Sequence, residues 1–312
     1  MTKTSIEWTD ATWNPVSGCS KVSPGCKHCY AEGIADRFFA KQYPPNKDGS
    51  PRKFTDVRCH EDRLDQPSHW KKPRRVFVNS MSDLFHEDVP MPFIFSVFHE
   101  MACTPQHTFQ ILTKRPERMK LLMEDAEQFR QDEGLITSHR ASPWTPQLWP
   151  LPNVWLGVSV ENQKYADERI PLLLETPAAV RFLSVEPMLE AVDLRGPRSM
   201  ALVPCGENNC SNHSTLYWTL DDIDWVICGG ESGPGARPFN LAWAESLLEQ
   251  CRATGVPFFM KQMGSNAIST IPNRHGDLTF SYAQSRGGLK HDRKGGDPSE
   301  WPAHLRVREF PA

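Results

Sequence analysis

Six short apolar runs recur along the chain, each rich in β-branched or aromatic residues. They are Val76-Phe-Val-Asn79, Thr108-Phe-Gln-Ile-Leu-Thr113, Val154-Trp-Leu-Gly-Val-Ser159, Val180-Arg-Phe-Leu-Ser-Val185, Trp225-Val-Ile-Cys228 and Pro257-Phe-Phe-Met260. Near-continuous apolar runs of this length suit strands buried on both faces. Segments with helical spacing lie between them, at 93–101, 116–129, 163–174 and 241–253. Asn162 and Asn240 stand where N-caps are expected, and Gly255 where the last of these helices stops. Strands alternating with helices predict βαβ crossovers and a parallel sheet. A further strand near 13–17 brings the series to six or seven repeats. The chain is therefore expected to be α/β, a full or partial (β/α) barrel, with a doubly wound sheet as the alternative.

Two regions break the rhythm and read as insertions, 131–153 and 195–223. The barrel is expected over 1–264, with a C-terminal extension, 265–312, packed on it. Trp301, Leu305, Val307 and Phe310 give that extension apolar anchors, and it is expected to cover the barrel mouth or its open side. Each run ends in polar or flexible residues: Asn79-Ser-Met-Ser-Asp83, Thr113-Lys-Arg115, Ser159-Val-Glu161, Ser184-Val-Glu186, Gly229-Gly-Glu231 and Lys261-Gln262. Any one of these alone reads as a cap or a solvated turn. Parallel α/β folds place their sites at the C-terminal ends of strands, so the whole set is expected to surround one mouth.

The first strand leads into Gly18-Cys19-Ser-Lys-Val-Ser-Pro-Gly-Cys26-Lys-His-Cys29-Tyr30, which holds three of the nine cysteines. The stretch is polar and turn-rich, unlike the apolar setting of a packing thiol. Thiolates at this spacing can converge on one metal centre. A [4Fe–4S] cluster is normally held by four cysteines; held by Cys19, Cys26 and Cys29 alone, it keeps one iron open. Zinc is the rival, because Cys-x-x-Cys is half of a zinc site and His28 lies inside it. The helix that follows is expected to bury Ile34, Ala35, Phe38 and Phe39 on one face. Cys205, Cys210 and His213 are a candidate second metal site, or incidental thiols in a solvated loop. Cys59, Cys103, Cys228 and Cys251 read as packing residues.

Composition narrows the picture further. The net charge of −3 carries no global nucleic-acid signature, although Lys71-Lys72 with Arg74-Arg75 beside Trp70, plus Arg237 and Lys261, are local basic residues. No apolar stretch approaches the roughly 20 residues needed to span a bilayer. The N-terminus does not resemble a signal peptide. A soluble cytoplasmic chain with no membrane partner is expected, in a compartment where clustered cysteines bind metal or catalyse rather than pair.

A three-cysteine loop after the first strand of a repeated β/α chain resembles the radical S-adenosylmethionine (SAM) superfamily. Trp8-Thr-Asp-Ala-Thr-Trp-Asn-Pro-Val-Ser-Gly-Cys19, Cys26-x-x-Cys29-Tyr30-Ala-Glu, Val78-Asn-Ser-Met-Ser-Asp-Leu-Phe85 and Ile227-Cys-Gly-Gly-Glu-Ser-Gly233 more closely resemble a phage- and bacteria-associated family of the phage Gp37/Gp68 type. The superfamily resemblance implies a [4Fe–4S] cluster on Cys19, Cys26 and Cys29, with SAM as second cofactor. It implies Asn79, Ser80 and Asp83 near the methionine end of SAM. Ser159, Glu161, Ser184 and Glu186 would lie further round, and Lys114 or Arg115 would pair with the SAM carboxylate. An electron donor such as flavodoxin or ferredoxin is implied as partner. Gly229, Gly230, Glu231, Arg237 and Lys261 are the substrate-side candidates, and a nucleic-acid base or DNA lesion is the candidate substrate. The superfamily spacing is Cys-x3-Cys-x2-Cys, whereas six residues separate Cys19 from Cys26 here, and His28 stands where an aromatic residue is usual. The alternative is a zinc- or iron–sulfur-stabilised binding protein without SAM chemistry.

Overall fold

Every apolar run becomes a parallel strand. The computed structural model describes residues 4–42, 45–46, 48–124, 149–195, 220–269, 280–281 and 292–312. In chain order it contains β1 (Ala11–Trp13), β2 (Val16–Ser17), α1 (Tyr30–Gln42), β3 (Arg58–Cys59), β4 (Arg75–Val78), α2 (Met91–Cys103), β5 (Thr108–Thr113) and α3 (Pro116–Glu124). Then come β6 (Val154–Ser159), α4 (Gln163–Glu175), β7 (Val180–Val185), β8 (Trp225–Gly229), β9 (Phe239–Asn240), α5 (Leu241–Thr254), β10 (Phe258–Gln262), β11 (Ala267–Ser269) and β12 (Phe280–Ser281). The expected caps form. Asn162 accepts from the Tyr165 amide at 3.1 Å and Asn240 from the Ala242 amide at 3.1 Å, and Gly255 takes the left-handed φ of 75° that ends α5.

The main sheet has seven strands in the order β1-β4-β5-β6-β7-β8-β10, all parallel. Among the described residues the order never reverses and has no switch point of the doubly wound kind. The sheet curls into a half-barrel. Helices α2 to α5 pack on its convex face, against Val76, Val78, Phe109, Ile111, Leu156, Leu183, Val226 and Phe258. Residues 196–219 of the insertion at 195–223 and 131–148 of that at 131–153 lie outside the described residues.

Strand register arranges the concave face in rows. Phe77, Gln110 and Trp155 form one row. Leu112, Gly157, Phe182 and Trp225 form the next, and Ser159, Ser184, Ile227 and Phe259 the third. Trp8, Phe77, Phe182, Trp225, Ile227 and Phe259 pack into one aromatic-rich cluster that fills the floor. Gly157 is required there, because a Cβ would lie 2.6 Å from the Phe182 ring. Toward the strand ends the row shrinks to Ser159 and Ser184. Two residues further on, by the period-2 alternation of strands, come Asn79, Lys114, Glu161, Glu186, Gly229 and Lys261.

Among the described residues of the C-terminal extension, 307–310 run along the open β10 edge of the sheet. Arg308 bridges Phe259 in antiparallel fashion, with Met260 donating to the Val307 carbonyl at 2.8 Å and Glu309 to that of Phe258 at 3.0 Å. Trp301 and Leu305 are buried. Phe310 reaches across the floor, 5.2 Å from the ring centres of Trp225 and Phe259, and the Arg75 guanidinium stacks on it at 3.9 Å. The β10 edge, otherwise a row of unpaired backbone groups, is thereby covered.

The expected face of α1 is corrected in part: Ala35 is buried as expected, Ile34 is half-buried, and Phe38 is not buried. Ala31 and Ala35 are the buried positions, packed on Phe54, whereas Phe38 is 44% exposed. The partner surface is the small patch of Phe54, Cys19, Cys29 and Met81. Among the described residues no helix is long and apolar enough to cross a membrane.

Candidate functional site

The loop that carries the thiols is anchored before it begins. Asn79, at the end of β4, sits at φ 61°, a left-handed conformation that asparagine tolerates. Its amide donates to the Trp13 carbonyl at 2.8 Å and its Oδ1 accepts from the Val16 amide at 3.3 Å. Asn14 returns the tie, its Oδ1 accepting from the Ser80 hydroxyl at 3.2 Å and the Met81 amide at 3.0 Å. β2 then pairs with β3. Gly18 follows at φ 96°, where a Cβ would lie 2.7 Å from the Asp56 carbonyl oxygen, so only glycine fits. The three thiols come next, with a single 3-10 turn at Pro24–Cys26 between them.

Two of the thiols are supplied with donors for negative charge. Arg115 aims Nη1 at Cys19 Sγ, 3.6 Å away. The backbone amides of Ala31 and Glu32, at the start of α1, donate toward Cys29. Cys26 Sγ lies 3.7 Å from the Ser23 hydroxyl. Cys19 and Cys29 pack with Met81 on the same patch of Ala31, Ala35 and Phe54. Burial and then Asp83 push Cys19 up to about 12, against the pull of Arg115. Burial raises Cys29 too, with the two amides opposing it. Lys21 feels the charges of Cys26 and Cys29, and Lys114 that of Cys29. Three cations thus stand around the loop.

Each carboxylate at the strand ends meets a base from another segment. Asp83, after β4, pairs with Arg115 at 3.3 Å and accepts from the Thr113 hydroxyl at 2.7 Å and the Lys114 amide at 3.1 Å. Glu161, after β6, is fully buried and pairs through Oε1 with Lys114 at 3.2 Å and Arg169 at 3.3 Å. Glu186, after β7, pairs with Lys261 at 2.6 Å and accepts from Gln262 at 3.2 Å. Glu231, after β8, is gripped by Arg237 at 2.6 and 3.1 Å and by His28 Nδ1 at 3.0 Å. Burial opposes ionisation of Glu231, but the bonds from Arg237 and His28 outweigh it and hold its pKa below the usual glutamate value.

Three of these groups strap the cysteine loop across the mouth. Arg115 donates to the Ser20 hydroxyl at 2.8 Å and to its carbonyl at 3.3 Å. Glu161 accepts from the Ser23 hydroxyl at 2.8 Å, and a Cβ on Gly25 would lie 2.5 Å from the Glu161 carboxylate. Arg237 Nη1 donates to the Pro24 carbonyl at 2.9 Å. Tyr30, 53% exposed, donates its hydroxyl to the Ser80 carbonyl.

The residues singled out from the strand ends are therefore brought together. Their roles are more specific than their polarity suggested. Asn79 and Ser80 join the first two strand ends, Asp83 orients Arg115, and Ser159 and Ser184 stand side by side above the aromatic floor. Gly229 and Gly230 allow close approach: a Cβ on Gly230 would lie 2.4 Å from the Met263 carbonyl oxygen. Two buried polar atoms at the mouth, the donor Asn79 Nδ2 and the acceptor Glu161 Oε2, have no hydrogen-bond partner among the described residues. The basic run is elsewhere. Arg75 opens β4, at the opposite end of the strand from the mouth, and pairs with Asp10 at 3.5 Å. Cys205, Cys210 and His213 lie outside the described residues.

Ser23, Gly25 and Arg169 escape sequence reasoning, because each owes its role to a partner far along the chain. The one local hint was glycine itself at 25, inside a loop already rich in turns. Among the described residues no three His, Cys, Asp or Glu side chains are grouped so as to hold a single metal ion. Cys59 and Cys103 are half-buried and Cys228 and Cys251 buried, none of them in a disulfide among the described residues.

No curated protein and no solved structure matches the chain. The chain belongs to the family described as "Protein of unknown function (DUF5131)", whose family model matches residues 3–293.

Proposed function

We propose that the protein is a radical SAM-type enzyme, in which Cys19, Cys26 and Cys29 would hold a [4Fe–4S] cluster and SAM would bind at the polar mouth beside it. The observation that carries this reading is the donor set at the thiols. A packing thiol needs no partner, whereas Cys19 faces a buried guanidinium and Cys29 faces two amides at a helix N-terminus. Such donors suit sulfur that carries negative charge in a partly buried place. Three ligands to a four-iron cluster leave one iron open, and the loop holding them is strapped over the strand ends, where a parallel barrel carries its chemistry.

When bound, the cluster and SAM would supply one-electron radical chemistry toward a substrate. The chain's own residues would bind, orient and exclude water. The buried donor Asn79 Nδ2 and acceptor Glu161 Oε2 suit the carboxylate and ammonium of an amino-acid moiety. Lys114 balances Glu161. Ser159 and Ser184 keep side chains small above the aromatic floor. Glu186 with Lys261, and the Gly229–Gly230 turn with Glu231 and Arg237, line the side left for substrate. The nucleic-acid base or DNA lesion proposed as substrate draws no support from the run Lys71–Arg75, which opens at the other end of the sheet. The tie to phage Gp37/Gp68-type proteins rests on sequence motifs alone.

Anaerobic purification tests the reading. The expected product is a brown protein with about four irons and four sulfides per chain. Reduced by dithionite, or by flavodoxin or ferredoxin, it forms 5′-deoxyadenosine from SAM. A colourless protein with one zinc overturns the proposal in favour of a zinc-stabilised binding protein. A cluster that never yields 5′-deoxyadenosine leaves an iron–sulfur protein without SAM chemistry.

A further inference from the structure

We infer that Arg115 is a positioning residue for Cys19 and sets the reduction potential of the metal centre that Cys19 helps to hold. The inference rests on the cluster reading above and goes beyond it by naming the residue that tunes the cluster.

The geometry is unusually constrained for an arginine. Its side chain is 9% exposed, and all three guanidinium nitrogens are engaged. Nε donates to Glu87 Oε2 at 2.9 Å, Nη1 to Asp83 Oδ2 at 3.3 Å and to Cys19 Sγ at 3.6 Å, and Nη2 to the Ser20 hydroxyl at 2.8 Å and carbonyl at 3.3 Å. The plane of the fork is thus fixed on three sides. One arm grips the backbone directly after Cys19 while the other points at its sulfur. Asp83 is itself held by the Thr113 hydroxyl and the Lys114 and Phe85 amides. Rotation of the guanidinium away from the thiol would break at least one bond to a buried acceptor. A lysine has no planar fork and cannot make these contacts together.

Such a group acts on the centre in two ways. It fixes the rotamer of Cys19, the ligand separated from the other two by the long six-residue gap. It also places an N–H bond and a positive charge on the ligand sulfur. Hydrogen bonds to cluster sulfurs and the local charge are recognised determinants of iron–sulfur potential. Both stabilise the reduced, more negative state, so Arg115 raises the potential and eases reduction.

The test compares wild type, Arg115→Lys and Arg115→Met, each reconstituted anaerobically, by iron and sulfide content, electron paramagnetic resonance and redox titration. Arg115→Met is expected to keep its iron while its reduced-to-oxidised ratio at a fixed potential falls at least tenfold, about 59 mV for one electron. Arg115→Lys keeps the charge and loses the fork, and is expected to fall between the two. Unchanged potentials and spectra at full iron content in both variants overturn the inference. Loss of iron from Arg115→Met with its far-ultraviolet circular dichroism intact, restored in Arg115→Lys, supports the positioning role. Where Arg115→Met does not fold, Ser20→Ala, which loosens the same grip, carries the measurement with the same criteria. A wild-type protein that binds no cluster removes the parent reading instead, and iron analysis alone shows this.

Discussion

The Glu161 carboxylate and the Ser23 hydroxyl are 138 residues apart in the chain and 2.8 Å apart in the fold. The contact ties the end of β6 to the middle of the cysteine loop. Gly25 makes it tighter still, because the loop backbone lies where any side chain would strike Glu161. A wholly buried carboxylate at this point is balanced by Lys114 and Arg169, so the loop rests on a charged but neutralised shelf.

Gly25→Ala should therefore lift the loop. A Cβ 2.5 Å from Glu161 is resolved by local movement, at about 1–3 kcal/mol of stability, and iron retention after reconstitution should fall. Glu161→Ala makes room, so the double variant should recover part of both losses. The interaction energy of the four-protein cycle, from denaturant unfolding, measures the coupling. Additive losses would show that Gly25 does not bear on Glu161.

Arg237→Leu should free the loop at its other end. Glu231 is 7% exposed and would lose its guanidinium partner, at about 1–3 kcal/mol. Cleavage by a protease within 18–30 in the apo-protein should accelerate, because the Pro24 carbonyl loses its tether. An unchanged cleavage rate would mean that the 229–237 loop does not hold the cysteine loop.

His60 gives a pH signature remote from the strand-end carboxylates. Burial first, then Arg63 and Arg52, lower its pKa from 6.5 to about 4. Its Nε2 stands 2.5 Å from the Ser17 hydroxyl. Between those values the unfolded chain binds a proton at this position and the folded chain does not, so stability rises with pH from about 4 to 6.5 and this contribution is constant outside that window. The bound is about 3 kcal/mol, and partial exposure of the ring reduces it to about 1–2 kcal/mol. His60→Gln should flatten that slope in urea titrations at several pH values.

Phe310→Ala should weaken the floor of the half-barrel. It removes contacts to Trp225 and Phe259 and the stack under Arg75, together about 1–3 kcal/mol for a partly buried ring. Deleting 297–312 should do more, exposing the β10 edge and promoting aggregation. Light scattering on both variants distinguishes loss of packing from loss of edge protection.

Local pattern carried much of the fold. β5, β6 and β7 fall on the residues expected from apolar runs, and both asparagine caps form, because strand period and cap chemistry act within a few residues. Phe38 of α1 stays exposed, since helical spacing shows that a face is apolar but not how large a surface awaits it. The site was legible as a set of polar strand ends. Its pairings were not: Lys114 and Arg115 are adjacent, yet one turns to Glu161 and the other to Asp83 and Cys19.

By itself the sequence determined the repeated β/α order, the three thiols after the first strand and the polar character of every strand end. These follow from the period of side chains along a strand or helix and from residue chemistry at short spacing. Only the tertiary structure decided that the sheet stays open, with residues 307–310 along its β10 edge. Only it decided that Gly25 presses on Glu161, that Arg115 meets Cys19 and that the basic run faces away from the mouth. Those relations arise from sheet curvature and register, which bring together groups dozens to hundreds of residues apart.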